Sequence, residues 1–118
     1  MLKKLKNDAR YSWTAHSFMK MQYYGISEGR VKRIIRFPKR TEEGIVPDTV
    51  AVMQPAGTKR YQEIWVMYKL AKRANSKPQV PNPKQKTIKV ITAWRYPGKS
   101  PERNPVPKEI IEEVRALL

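Results

Sequence analysis

The stretch YQEIWVMYKL, residues 61–70, decides the fold. Its β-branched and aromatic content reads as a strand rather than a helix. Alternation places Ile64, Val66, Tyr68 and Leu70 on one face, and Glu63, Trp65, Met67 and Lys69 on the other. Two other segments share its character. TVAVMQ (49–54) precedes it across PAGTKR, a hairpin turn by composition, and KTIKVITAWRY (86–96) follows it across the loop-like NSKPQVPNPK. In the last strand, strict alternation puts Ile88, Val90, Thr92 and Trp94 on one face.

Outward from this sheet the period changes to that of helices. YSWT (11–14) reads as a short extended piece, and Thr14 is placed to cap a helix of about ten residues ending at Gly25. Ala15, Phe18, Met19 and Met21 form its apolar arc, with His16, Lys20 and Tyr24 as a stripe on the other side. Ser27 caps a second helix with Glu28 in its first turn and Arg33 and Arg36 in its last, as the helix dipole favours. Val31, Ile34 and Ile35 supply its buried face and Pro38 stops it. After the irregular PGKSPERNPVP, Pro107 starts a terminal helix striped with Ile110, Val114, Leu117 and Leu118. Helices segregated from hairpin-connected strands imply an α+β fold: two N-terminal helices on a twisted, mainly antiparallel sheet of three to four strands, plus a C-terminal helix.

At 118 residues the chain is expected to be one domain, with a basic lead-in (1–10), a core (11–96) and a loop plus terminal helix (97–118). Its 25 Lys and Arg against 10 Asp and Glu give a net charge of +15. From Ile64 to Pro101 there is no acidic residue. Such a one-sided excess points to a polyanionic partner, nucleic acid before a membrane surface. The opening MLKKLKNDARYSW lacks the apolar centre of a signal peptide and no run approaches the length of a membrane span, so a cytoplasmic protein is expected by default.

The absence of cysteine excludes disulfides and thiolate metal sites. One histidine and scattered carboxylates suggest neither a metal cluster nor a hydrolase triad, and no cofactor is expected. Glu42 and Glu43 read as loop residues. YPGKS resembles the end of a phosphate-cradling loop, but Ala93 stands where the first glycine belongs and Pro101 prevents a helix from starting at Ser100.

Three features remain. The stripe of His16, Lys20 and Tyr24 on an arbitrary helix would be solvated surface. The basic run of Arg30, Lys32, Arg33, Arg36, Lys39 and Arg40 would ordinarily be the same, but the net charge favours phosphate contact. In WRYPGK (94–99), Trp94 and Tyr96 share a strand face opposite Arg95. That arrangement suits a core tryptophan beside a surface arginine, or a stacking platform for unpaired bases flanked by Lys99.

The segment HSFMKMQYYGIS (16–27) resembles a family of small bacterial domains with the pattern H-A-x-x-R-M-x-x-R-G-I-S, related to BrnT-type toxins and to the RelE/ParE toxin superfamily. His16, Lys20, Met21, Gly25, Ile26 and Ser27 carry the match, followed by Val31, RFP (36–38) and VITAWRY (90–96). The resemblance covers residues 11–96. Lys20 and Tyr24 stand where the family has arginines, and Ser17 replaces an alanine. Lysine keeps the charge but loses the bidentate fork.

The resemblance implies two helices on a twisted antiparallel sheet and a toxin-like protein acting on RNA; the first expectation is a metal-independent ribonuclease. On that reading His16 is the acid/base, its ordinary pKa of about 6.5 lying near neutrality. Lys20 and Arg95 would stabilise phosphate charge, and Tyr24 or Tyr96 would donate a proton or stack. The arginines missing from the pattern favour a second expectation: a non-catalytic nucleic-acid-binding or accessory module. An acidic protein such as an antitoxin is an expected partner under either; a membrane is not.

Overall fold

The computed structural model describes residues 7, 10–72 and 86–118. The expected lead-in, apart from Asn7 and Arg10, and the expected loop at 75–84 lie outside the described residues. The order of elements is β1 (Tyr11–Trp13), α1 (Ala15–Tyr24), α2 (Glu28–Arg36), β2 (Arg40–Glu43), β3 (Thr49–Pro55), β4 (Glu63–Lys72), β5 (Lys86–Tyr96) and α3 (Lys108–Leu117). The fold is α+β, as expected. Among the described residues the sheet has five strands in the order β1-β5-β4-β3-β2, antiparallel except for β1, which pairs parallel with β5. Glu42 and Glu43, expected in a loop, lie on β2, where Glu42 pairs with Ala51 and Glu43 with Val50. An edge strand exposed on one side can carry charge at alternate positions, so β2 has no apolar alternation to betray it.

Two cores flank the sheet. On one face Ile64, Val66, Val52, Val90 and Ala93 pack against Met21 and Ile26 and against Val31 and Ile34 of α2. On the other, Ala51, Met53, Trp65, Met67, Ile91 and Trp94 pack against Val106 and against Ile110 and Val114 of α3. The alternation expected for β4 holds for Ile64, Val66 and Tyr68 against Trp65 and Met67.

The alternation expected for β5 does not hold. Tyr68 pairs with Val90 but Met67 with Thr92, so Ile91 is an extra residue opposite a break in β4. A bulge inserts one residue and reverses the side-chain sense beyond it. Ile88 and Val90 therefore face α1 and α2, while Ile91 and Trp94 face α3.

Helix α1 begins as expected, with Thr14 Oγ1 accepting from Ser17 N at 2.9 Å. It ends at Gly25 in the left-handed region (φ 65°), where Gly25 N returns to Gln22 O and Ile26 N to Met21 O at 2.8 Å. This is a Schellman closure that needs a residue tolerant of positive φ. It seats Ile26 in the core beside Met21. The expected apolar arc of α1 is only partly right. Met21 is buried, but Ala15 and Met19 are exposed and Ser17 is buried.

The placement of α1 explains the difference. β1 pairs β5 only from Ile88 to Val90. Beyond that, Thr14 N donates to Val90 O and Thr14 Oγ1 to Ile91 O, while Arg95 Nε reaches Tyr24 O. The ten residues of α1 span ~15 Å, close to the ~13 Å from Ile91 to Arg95 along the strand. α1 thus lies beside the part of β5 that β1 leaves open, and covers that edge. Small Ser17 turns its hydroxyl back to Thr14 O at 2.7 Å, which satisfies it inside the contact.

Candidate nucleic-acid interface

The candidate residues fall into separate groups. The first is cationic and sits at one end of the face that carries α1 and α2. Gln54, Ile64 and Arg95 are opposite one another across β3, β4 and β5. Gln54 Nε2 donates to Phe37 O at the end of α2 (2.7 Å), and Arg95 Nε to Tyr24 O at the end of α1 (2.7 Å). Arg30 of α2 donates Nη2 to Pro55 O at 2.5 Å, one residue beyond Gln54. Pro55, whose carbonyl anchors Arg30, and Arg95 itself thus stand on the strands either side of β4, with backbones ~10 Å apart for two strand spacings.

Arg33 follows Arg30 by one turn of α2 and is exposed. Burial, then repulsion from Arg33 and Arg95, pulls the pKa of Arg30 below the ordinary arginine value. Arg30 Nε is shielded from solvent with no hydrogen-bond partner. Among the described residues, none of these three arginines meets a carboxylate.

The second group lies on the opposite side of α1, toward α3. His16 Nε2 and Lys20 Nζ each lie 3.3 Å from Glu113 Oε2. Lys20 Nζ donates to Glu113 Oε1, also at 3.3 Å. The His16–Glu113 approach is an ion-pair distance but not a hydrogen bond: Nε2 and Oε2 are both shielded from solvent and lack a hydrogen-bond partner. Lys20 also stands 5.8 Å over the ring of Tyr24, which packs against both cores. The expected stripe therefore exists, but a carboxylate from α3 occupies it.

These two groups do not converge on one phosphate. His16 and Tyr24 are eight residues apart on α1, or ~12 Å along its axis, and Arg95, opposite Ile64 in the sheet, is held at the Tyr24 end. Of the expected constellation, His16 and Arg95 therefore stand at opposite ends of α1, with Lys20 between them.

The remaining candidates are spoken for or simply exposed. Trp94 is 1% exposed and stacks on Trp65 with centroids 5.8 Å apart at 3°, so it offers no face to a base. Tyr96 is half-buried against the same core. Lys32 pairs with Glu28 at 2.9 Å and lies 4.9 Å over the ring of Tyr11. Arg40 donates to Ser100 Oγ (2.8 Å), Glu42 Oε1 (3.1 Å) and Pro101 O (3.1 Å), and lies 5.3 Å over Trp65. Arg36, Lys39 and Lys99 are exposed.

Arg40 belongs to a network that ties the segment after β5 to the sheet. Its centre is Glu63, a carboxylate only 1% exposed. Glu63 accepts from Tyr61 Oη (2.8 Å), Trp65 Nε1 (3.1 Å), Ser100 N (3.1 Å) and Ser100 Oγ. Burial acts to raise its pKa, but the hydrogen bonds from Ser100, Tyr61 and Trp65 outweigh that and hold it below the ordinary value. The same contact, with Glu63 as acceptor, raises the Tyr61 hydroxyl.

Sequence reasoning passed over two of these residues. Glu63 left a signal: an acid alternating with Trp65 and Met67 on an apolar strand face must find donors if buried. Glu113 left none, because its role depends on where α3 docks.

No family model, curated protein or solved structure matches this chain. Among the described residues no helix is long and apolar enough to cross a membrane.

Proposed function

We propose that this chain is a toxin-like RNA-binding protein whose phosphate contacts are made by Arg30, Arg33 and Arg95. The observation that carries this reading is the gathering of three arginines without a carboxylate among them. Like charges held together cost stability, and an arriving phosphate relieves that cost. Guanidinium groups fixed on backbone carbonyls keep further N–H donors for an anion, in the fork that suits phosphate. The net charge of +15 adds long-range attraction. An acidic partner protein, such as an antitoxin, would compete for the same arginines.

The test is binding of a single-stranded RNA oligonucleotide followed by anisotropy over a series of salt concentrations. Three phosphate contacts give a log–log salt slope of about −2. A folded protein that shows no RNA binding at low salt overturns the reading.

A second reading, metal-independent RNA cleavage, is favoured by the grouping of His16, Lys20 and Glu113. The RNA 2′-hydroxyl would attack the adjacent phosphorus while His16 takes its proton and Lys20 faces the phosphorane charge; the P–O5′ bond then breaks and the leaving 5′-oxygen takes a proton from Tyr24 or from water. Arg95 stands too far along α1 to share that step. Cleavage of RNA in the presence of a chelator, lost in His16→Ala, supports this reading. Intact RNA after prolonged incubation with saturating protein sinks it.

A further inference from the structure

We propose that His16 and Lys20 form a second phosphate-binding site, one that the chain's own Glu113 fills when RNA is absent. This rests on the RNA-binding reading above and concerns the other side of α1.

An imidazole and an ammonium one helical turn apart converge on a single carboxylate at 3.3 Å. The carboxylate is supplied from a different element, 93 residues away from Lys20 in the chain. Its hold is uneven. Oε1 accepts from Lys20, but Oε2 and the imidazole Nε2 are shielded from water and neither makes a hydrogen bond among the described residues. A buried polar pair left unsatisfied in this way is a weak point that a better-fitting ligand can improve on. A phosphate has more acceptor oxygens than a carboxylate and a tetrahedral spread, so it can meet an imidazole N–H and an ammonium at once.

The Glu113 side chain is 36% exposed, so it can swing toward solvent while Ile110 and Val114 keep α3 in the core. α1 then presents phosphate-binding groups on both of its sides: Arg95 at its C-terminal end, and His16 with Lys20 on the flank toward α3. An RNA strand that wraps the outer edge of the sheet meets both. Glu113 sets the threshold for that engagement by competing in cis.

The experiment compares Glu113→Gln and Glu112→Gln for affinity to the same single-stranded RNA, with thermal melts to establish that both are folded. Glu112 is exposed on the same helix and has no contact with His16 or Lys20. It therefore reports the general effect of removing one negative charge. Glu113→Gln is expected to bind RNA roughly threefold to fivefold more tightly, the upper part of the range of one freed ion-pairing site. Glu112→Gln is expected to stay within about twofold. Adding Lys20→Ala to Glu113→Gln should cancel the gain.

Equal gains in Glu112→Gln and Glu113→Gln overturn the site and leave RNA binding standing. So does a gain that survives Lys20→Ala together with His16→Ala. If wild type and Glu113→Gln are both folded and neither binds RNA, this proposal and the RNA-binding reading fall together. A gain in Glu113→Gln for an acidic peptide but not for RNA overturns the phosphate assignment in favour of a carboxylate partner.

Discussion

Arg95 on β5 donates its Nε to the carbonyl oxygen of Tyr24, the last residue of α1, at 2.7 Å. The last turn of α1 has no basic residue of its own, so the strand supplies the cation that the negative end of the helix favours. Arg95 thus has a structural task beside its proposed ligand. Arg95→Ala is expected to lower unfolding free energy by about 1–2 kcal/mol, the range for a charge-assisted hydrogen bond to a helix terminus. Arg95→Lys should recover part of the stability but less of the RNA affinity, since it lacks the planar fork. Urea denaturation alongside RNA titration separates the two losses. Unchanged stability in Arg95→Ala would show that the α1 terminus does not depend on this contact.

Glu63 makes acid sensitivity a property of the sheet's Trp65 side. Its folded pKa lies below the ordinary value of 4.5, so the stability it contributes is fully present above that pH and is lost as pH falls through the lower, folded value. Glu63→Gln keeps the shape but is a weaker acceptor for donors from Ser100, Tyr61 and Trp65. It should cost about 1–3 kcal/mol at neutral pH. The gap between the two proteins should narrow as the pH drops below about 4.5. Melting temperatures of both between pH 3 and pH 7 test this; a gap independent of pH would mean that the carboxylate charge is immaterial.

Trp94 separates the core reading of WRYPGK from the stacking reading. It is buried against Trp65 and α3. Trp94→Ala is expected to destabilise the fold by about 3–5 kcal/mol through the cavity it leaves. RNA affinity per folded molecule should stay unchanged. Calorimetry gives the first quantity and RNA titration, corrected for the folded fraction, gives the second. A stable Trp94→Ala that loses RNA binding would reverse the assignment.

The pattern of successes and errors in the sequence has physical causes. Helix ends were legible because capping is local: Thr14, Ser27 and Gly25 act within a few residues of themselves. The faces of β4 were legible because alternation there is unbroken up to Tyr68. The face of Trp94 was not, because the bulge at Ile91 depends on pairing with β4, and nothing in KTIKVITAWRY marks it. α1 misled for a similar reason. Spacing places an apolar arc at Ala15, Phe18, Met19 and Met21, whereas α1 lies along a strand edge and buries Ser17 and Met21. Among the site residues, Arg30, Arg33 and Arg95 were each legible as basic positions. Their meeting was not, since it needs the register of β3, β4 and β5 to set Arg95 beside Pro55 and α2. The His16–Lys20 stripe was legible from spacing, while its occupant Glu113 came from a helix that no local signal could place.

Arg33 is the cleanest probe of the proposed RNA surface. Arg30 is anchored on Pro55 O and Arg95 on Tyr24 O, so removing either disturbs packing as well as charge. Arg33 is exposed, and its backbone carbonyl, not its side chain, serves Phe37 N and Gln54 Nε2. Arg33→Ala should therefore change stability by less than ~0.5 kcal/mol, as an exposed substitution does. If its guanidinium contacts one phosphate of a single strand, the log–log salt slope becomes shallower by about 0.7. Arg36→Ala offers the comparison. It removes an exposed arginine from the same helix, outside the group that meets Arg95. Its slope should move less than that of Arg33→Ala. Identical shifts in both would mean that RNA follows the net charge of α2 rather than a site built from Arg30, Arg33 and Arg95, and the placement of the interface would have to be given up.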